Sequence, residues 1–96
     1  MKRITIGKTY DNDCTSVGWL LEVSKDKTGW YRIIATYRTR WQGGKNEASY
    51  RSNIKYNTIT EAMDAGKTFL KNYQEDEIGY IIENKWENLS TGYLVQ

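Results

Sequence analysis

The run Trp30 to Gln42, WYRIIATYRTRWQ, alternates almost without a break. One set of alternate positions holds Tyr31, Ile33, Ala35, Tyr37, Thr39 and Trp41, and the other holds Trp30, Arg32, Ile34, Thr36, Arg38, Arg40 and Gln42. Side chains on a strand alternate with period two, so the run reads as a strand with one face for a core and one for an anion. Few other patterns constrain a short chain so strongly.

The neighbouring stretches extend this reading. Ile4 and Ile6 alternate with polar residues, which predicts a short strand within Met1 to Tyr10, and DNDCTS at Asp11 to Ser16 is a turn-rich loop. Val17, Trp19, Leu21 and Val23 alternate through Val17 to Ser24, a second strand. Lys25 to Gly29, ending in Gly, closes a hairpin onto the central strand. The expected register sets Ser24 opposite Trp30, Glu22 opposite Arg32 and Leu20 opposite Ile34. Beyond a turn at Gln42 to Asn46, Ala48 to Tyr56 is a further strand, with Tyr50, Ile54 and Tyr56 on one side and Ser49, Arg51, Asn53 and Lys55 on the other.

The period then changes. Thr58 and Glu61 have capping-box spacing, with Thr60 an alternative N-cap, and Ile59, Ala62, Met63, Gly66, Phe69 or Leu70, and Tyr73 form an apolar stripe. This predicts an amphipathic helix from Thr60 to Gln74, with Gly66 letting it approach a bulky sheet residue closely. Glu75-Asp76-Glu77 is expected to end that helix in a solvated turn. Ile78 to Trp86 is expected as a last major strand with Ile78, Tyr80, Ile82 and Trp86 inward, and Tyr93 to Val95 as a short terminal one. The expected fold is a single α+β domain over residues 1–96: an antiparallel sheet of four to five strands packed on one amphipathic helix, in the order β-β-β-α-β.

Composition narrows the chemistry. Four Trp, eight Tyr and one Phe supply the large pieces of a core in a chain only 39% hydrophobic. The net charge is +2, but Met1 to Tyr56 holds eleven Lys and Arg against five Asp and Glu, whereas Asn57 to Gln96 holds three against seven. One half can face an anion while the other faces solvent or a basic partner. A single Cys forms no internal disulfide, and no apolar run approaches the roughly 18 residues of a membrane span. The N-terminus lacks the apolar core of a signal peptide, so a reducing cytoplasm is the expected setting.

The absence of His removes the commonest general base and metal ligand, and one Cys makes no Cys-based zinc site. Asp11 and Asp13 beside Cys14 disfavour its thiolate. The tripeptide Gly-Lys-Thr occurs at Gly7 and at Gly66, but the earlier glycine of a P-loop is replaced by Lys2 and Glu61. Asp11, Asp13, Thr15 and Glu22 have calcium-loop spacing, yet Ser16 replaces the turn glycine and the flanks read as strand. The expectation is a protein that is not an enzyme and uses no cofactor or metal.

What stands out is the outer face of the sheet: Trp30, Arg32, Thr36, Arg38 and Arg40 from the central strand, and Arg51, Asn53 and Lys55 from its neighbour. Like charges side by side cost stability unless an anion sits among them, and the arginine fork suits phosphates and base edges. The alternative is a solvated basic face partly neutralised by Glu22 and Glu47. The stretch Trp30 through Leu70, with Gly29-Trp30, a basic second strand and Tyr56-x-Thr58-x-x-Glu61-Ala62 at the helix entry, resembles the DNA-binding domains of the AP2 and integrase arm-binding type. That resemblance implies a three-stranded sheet laid in the DNA major groove, with Trp30, Arg32, Arg38, Arg40 and Arg51 in contact. The extra strands expected at Val17 to Ser24 and Ile78 to Trp86 depart from it.

Two functions are therefore expected. The first is a small nucleic-acid-binding module. The second is an anti-CRISPR-like inhibitor, of phage or mobile-element type, that binds a host nucleic-acid-processing defence complex through its arginines and aromatics. Homodimerisation through a sheet edge or aromatic patch is a third possibility.

Overall fold

The computed structural model describes residues 2–9, 18–38 and 47–89. The expected features at Asp11 to Val17, Thr39 to Asn46 and Tyr93 to Val95 lie outside the described residues. The fold is α+β: five antiparallel strands in sequential spatial order, with two helices against one face. The strands are β1 (Ile4–Lys8), β2 (Gly18–Lys25), β3 (Tyr31–Arg38), β4 (Glu47–Arg51) and β5 (Glu87–Asn88), and the helices are α1 (Ile59–Asn72) and α2 (Glu75–Lys85).

Period two places the inner face as expected. Trp19, Leu21 and Val23 of β2, Ile33 and Ala35 of β3 and Tyr50 of β4 are buried in one cluster with Ala62, Ile78 and Ile82 from the helices. Tyr31 and Tyr37 pack against its edge.

The helix α1 begins as its sequence signals. Thr58 is the N-cap, its Oγ1 accepting from the Glu61 N–H at 3.1 Å, while Glu61 Oε1 accepts from the Thr58 N–H at 3.2 Å. Gly66 is buried, and a Cβ there would lie 2.6 Å from Ile6 Cδ1. The bulky neighbour is thus on the edge strand, where β1 shifts register against β2 between Thr5 and Gly7.

Three expectations are corrected. Ile78 to Trp86 is not a strand: α2 runs from Glu75 to Lys85, and β5 is the two residues that follow it. Ile78 and Ile82 are buried four residues apart, as helix packing requires, while Tyr80 is 67% exposed. Glu75, Asp76 and Glu77 therefore do not end one helix but open the next, where negative charge suits the positive end of the dipole, and Lys85 occupies its last turn. Glu77 Oε1 also accepts from the Gln74 N–H at 3.0 Å.

The β2–β3 hairpin is shifted by two residues from the expected register: Ser24 lies opposite Arg32, Glu22 opposite Ile34 and Leu20 opposite Thr36. The faces are unchanged because the shift is even. Its cause is the turn. Gly29 has φ +95 and donates to the Asp26 carbonyl, and the Asp26 N–H donates to the Trp30 carbonyl, so Lys25 already pairs with Tyr31.

The strand expected over Ala48 to Tyr56 stops at Arg51. Ser52 still donates to the Ile33 carbonyl, but Tyr31 next pairs with Tyr56, so Asn53, Ile54 and Lys55 loop out of the ladder. Ile54, expected inward, is 60% exposed.

Truncation separates the helical reading of α2 from the strand reading. Ile82→Ala is expected to lose about 2–5 kcal/mol of stability in chemical denaturation. Tyr80→Ala should stay within about 0.5 kcal/mol. A large loss at Tyr80 would return that segment to a strand pattern.

Candidate functional site: a basic concavity on the outer sheet face

On the outer face, Glu22, Ile34, Arg51 and Glu87 stand opposite one another in a row across β2, β3, β4 and β5. The row is partly self-neutralising. Arg51 donates through Nε and Nη2 to Glu87 Oε1 at 3.1 and 2.7 Å, and Glu22 pairs with Arg3 at 3.5 Å. The expected counter-charge of Arg32, Glu22, is thus engaged by Arg3, because the hairpin register moves Glu22 away from Arg32.

Arg32 has other partners. It is 8% exposed, and its Nε and Nη2 donate to the Ser52 carbonyl at 3.1 and 2.7 Å. Its Nη1 donates to Asp26 Oδ2 at 3.2 Å. The looping out of Asn53 to Lys55 removes Ser52's carbonyl from the ladder, and the guanidinium supplies the lost donors. One side chain therefore ties the hairpin turn to the point where β4 leaves the sheet.

Asp26 is held on every side. Its Oδ1 accepts from the Thr28 hydroxyl at 2.6 Å, the Thr28 N–H at 2.9 Å and the Trp30 N–H at 3.0 Å. The Thr28 hydroxyl does most to hold its carboxyl well below the usual range, with the two N–H groups and Arg32 acting alongside, against an opposing effect of desolvation.

Around this tie lies a concavity of about 570 Å³ with Arg3, Lys25, Lys27, Arg32, Arg51 and Lys55 on its walls and Ile34 and Leu89 among its apolar lining. Asp26 is the one carboxylate among its described lining residues. Lys25 stands opposite inner-facing Tyr31, so its ammonium belongs to the other side of the sheet; counting Glu22 and Glu87, which pair with Arg3 and Arg51, the remaining five cations face three carboxylates. Lys25 lies 5.6 Å from the centre of the Tyr31 ring.

The residues expected at the site distribute unevenly. Arg32, Arg51 and Lys55 converge on the concavity. Thr36 is buried on the same face, with its Oγ1 3.4 Å from Ser49 Oγ. Trp30 precedes β3 at the hairpin end and is 37% exposed. Asn53 turns away and donates to the Lys85 carbonyl at 2.6 Å, at the end of α2. The backbone of Arg38 lies in β3, but its side chain and all of Arg40 lie outside the described residues. Arg3, Lys25 and Lys27 were missed. Lys25 ends β2 and Lys27 lies within the hairpin turn, a signal that was visible once the turn was placed, whereas Arg3 is brought in only by the β1–β2 pairing.

Among the described residues no helix is long and apolar enough to cross a membrane, and no group of three or more His, Cys, Asp and Glu could hold a metal ion. Compared with protein-family models, curated proteins and solved structures, the chain matches none.

The Asp26 tie makes a pH prediction. A carboxyl whose folded pKa lies below its unfolded value, 3.8, stabilises the fold fully above that value. The contribution is lost as pH falls through the folded pKa. Urea denaturation should therefore show wild type more stable than Asp26→Asn by a constant margin from neutral pH down to about pH 4, closing in stronger acid. A margin unchanged down to pH 2 would contradict the assignment.

Proposed function

We propose that this is a non-catalytic, cofactor-independent binding protein of the cytoplasm that holds the phosphate backbone of a nucleic acid on the outer face of its sheet. The observation that carries the reading is the convergence of five cationic side chains, those of Arg3, Lys27, Arg32, Arg51 and Lys55, on one concavity with a surplus of two positive charges. Lys27 and Lys55 are the cations there that have no carboxylate partner among the described residues, and we assign them the phosphate contacts. The lack of His and the single Cys support a binding role over catalysis.

The mode of contact follows from width. Strands about 4.8 Å apart give five of them a span of roughly 19 Å, against a major groove about 12 Å wide. The groove-inserted geometry implied by the resemblance to AP2-type domains suits three strands. Here the sheet would lie across the phosphates, and Arg32 would hold the walls rather than read bases. Such binding is electrostatic and nearly independent of sequence.

A second reading, an anti-CRISPR-like inhibitor of phage or mobile-element type acting on a nucleic-acid-processing defence complex, is favoured by Tyr73 and Tyr80, which are exposed on the helices. Retention of such a complex from a host lysate after nuclease treatment would favour it. A homodimer is compatible with either reading.

Binding to duplex DNA, measured by anisotropy across salt concentrations, is expected to give a slope of log affinity against log salt of about −2, one phosphate for each of the two lysines. Lys27→Glu/Lys55→Glu should flatten the slope to near zero and weaken binding alike on unrelated sequences. Absence of binding at about 50 mM salt would end the nucleic-acid reading.

A further inference from the structure

A second concave surface lies on the helix side of the sheet, away from the basic face. It is a cleft of about 740 Å³ between the β2–β3 end and the first turns of α2, lined by Trp19, Tyr37, Tyr80, Glu75, Asp76 and Glu83, with Gln74 and Gly79. No Lys or Arg lines it among the described residues. A smaller groove of about 350 Å³ shares Asp76 and Tyr80 with it and continues over Tyr73 and Ile81.

Three observations bear on what could enter. The wall is aromatic: Trp19 and Tyr37 have ring centroids 5.0 Å apart with their planes tilted by 55°, and Tyr80 stands largely exposed beside them. The carboxylates of Glu75 and Glu83 have no cationic partner among the described residues, so the cleft is negative as well as aromatic. That combination suits a guanidinium or ammonium group, which is attracted to ring faces and to carboxylates. The third observation is independent of charge. Trp19 is only 2% exposed, yet its indole N–H has no acceptor among the described residues.

That N–H lies at the cleft's edge. A Cβ on Gly79, itself a lining residue, would crowd Trp19 Nε1 at 3.2 Å, so the glycine lets α2 approach the indole closely at the rim of the cleft. A buried donor without an acceptor is costly and calls for one from outside. A simple cation would satisfy the carboxylates but not the indole, whereas a peptide bears a cationic side chain and carbonyl acceptors a few ångströms apart.

The geometry points to a second binding site, one that takes an Arg or Lys side chain from a basic peptide segment of a protein partner while a backbone carbonyl of that segment accepts from the Trp19 indole. The cation lies against the rings of Tyr37 and Tyr80 between Glu75 and Glu83, and the chain continues along the groove past Tyr80. This site is separate from the basic concavity, so the protein can engage an anion and a basic segment at once.

The test uses the ¹⁵N-labelled full chain, with the indole resonance of Trp19 followed as a blocked Gly-Arg-Gly-Arg-Gly peptide is added. A saturable downfield movement is expected, absent when Glu replaces Arg in the peptide. Glu75→Gln/Glu83→Gln, at exposed positions that leave the core intact, should weaken the peptide by about tenfold or more. Lys27→Glu/Lys55→Glu should bind it as wild type does, which keeps this result distinct from nucleic-acid binding. An indole resonance that does not move, or equal affinity in the Glu75/Glu83 double variant, would overturn the proposal. So would movement driven by protein concentration alone, which would assign the cleft to a second copy.

Discussion

The Arg32 guanidinium is the tie on which the outer face depends. It rises from the middle strand and reaches in two directions, to the Ser52 carbonyl where β4 leaves the sheet and to Asp26 in the β2–β3 turn. Both partners belong to segments that depart from regular pairing. Without the fork, a buried carbonyl would lack its donors and the turn would lose one anchor. With it, the turn that carries Lys27 and the loop that carries Lys55 are tied together on either side of the concavity. The arginine most central to the basic face thus serves mainly to shape it.

Behind the sheet, the helices explain why the two faces differ so sharply. Both α1 and α2 bury small or branched residues against the sheet, Ala62 and Gly66 from one, the glycine against Ile6 of β1, and Ile78 and Ile82 from the other. The acidic residues of the C-terminal half are thereby turned outward, and Glu75, Asp76 and Glu77 collect where α2 begins. Charge segregation along the chain becomes charge segregation between faces, basic on the open side of the sheet and acidic at one end of the helix layer. Long-range attraction would then orient the molecule toward partners of opposite sign on its two sides.

Much of this was legible in residue patterns, and the failures have physical reasons. Alternation placed the inner faces of β2 and β3, and the Thr58–Glu61 capping box placed the start of α1. The α2 segment misled because Ile78, Ile82 and Trp86 sit four apart and so are in phase with both the helical and the strand period. The acidic triplet before them was the deciding signal, favourable at a helix start and unfavourable at a helix end. The hairpin register depended on whether Gly29 adopts positive φ, and the end of β4 has no marker in composition. The role of Arg32 was hidden for a different reason: its chief partner, Ser52, lies twenty residues away and acts through a carbonyl that every residue possesses.

The most direct test of the account maps where a polyanion sits. Backbone amide resonances of the ¹⁵N-labelled protein would be followed during addition of a short oligonucleotide at low salt. Binding at the concavity predicts movement concentrated at Lys25 to Thr28 and Arg51 to Lys55, with the amides of α1 and α2 nearly still. Movement confined to the helix layer, or none at all, would contradict it.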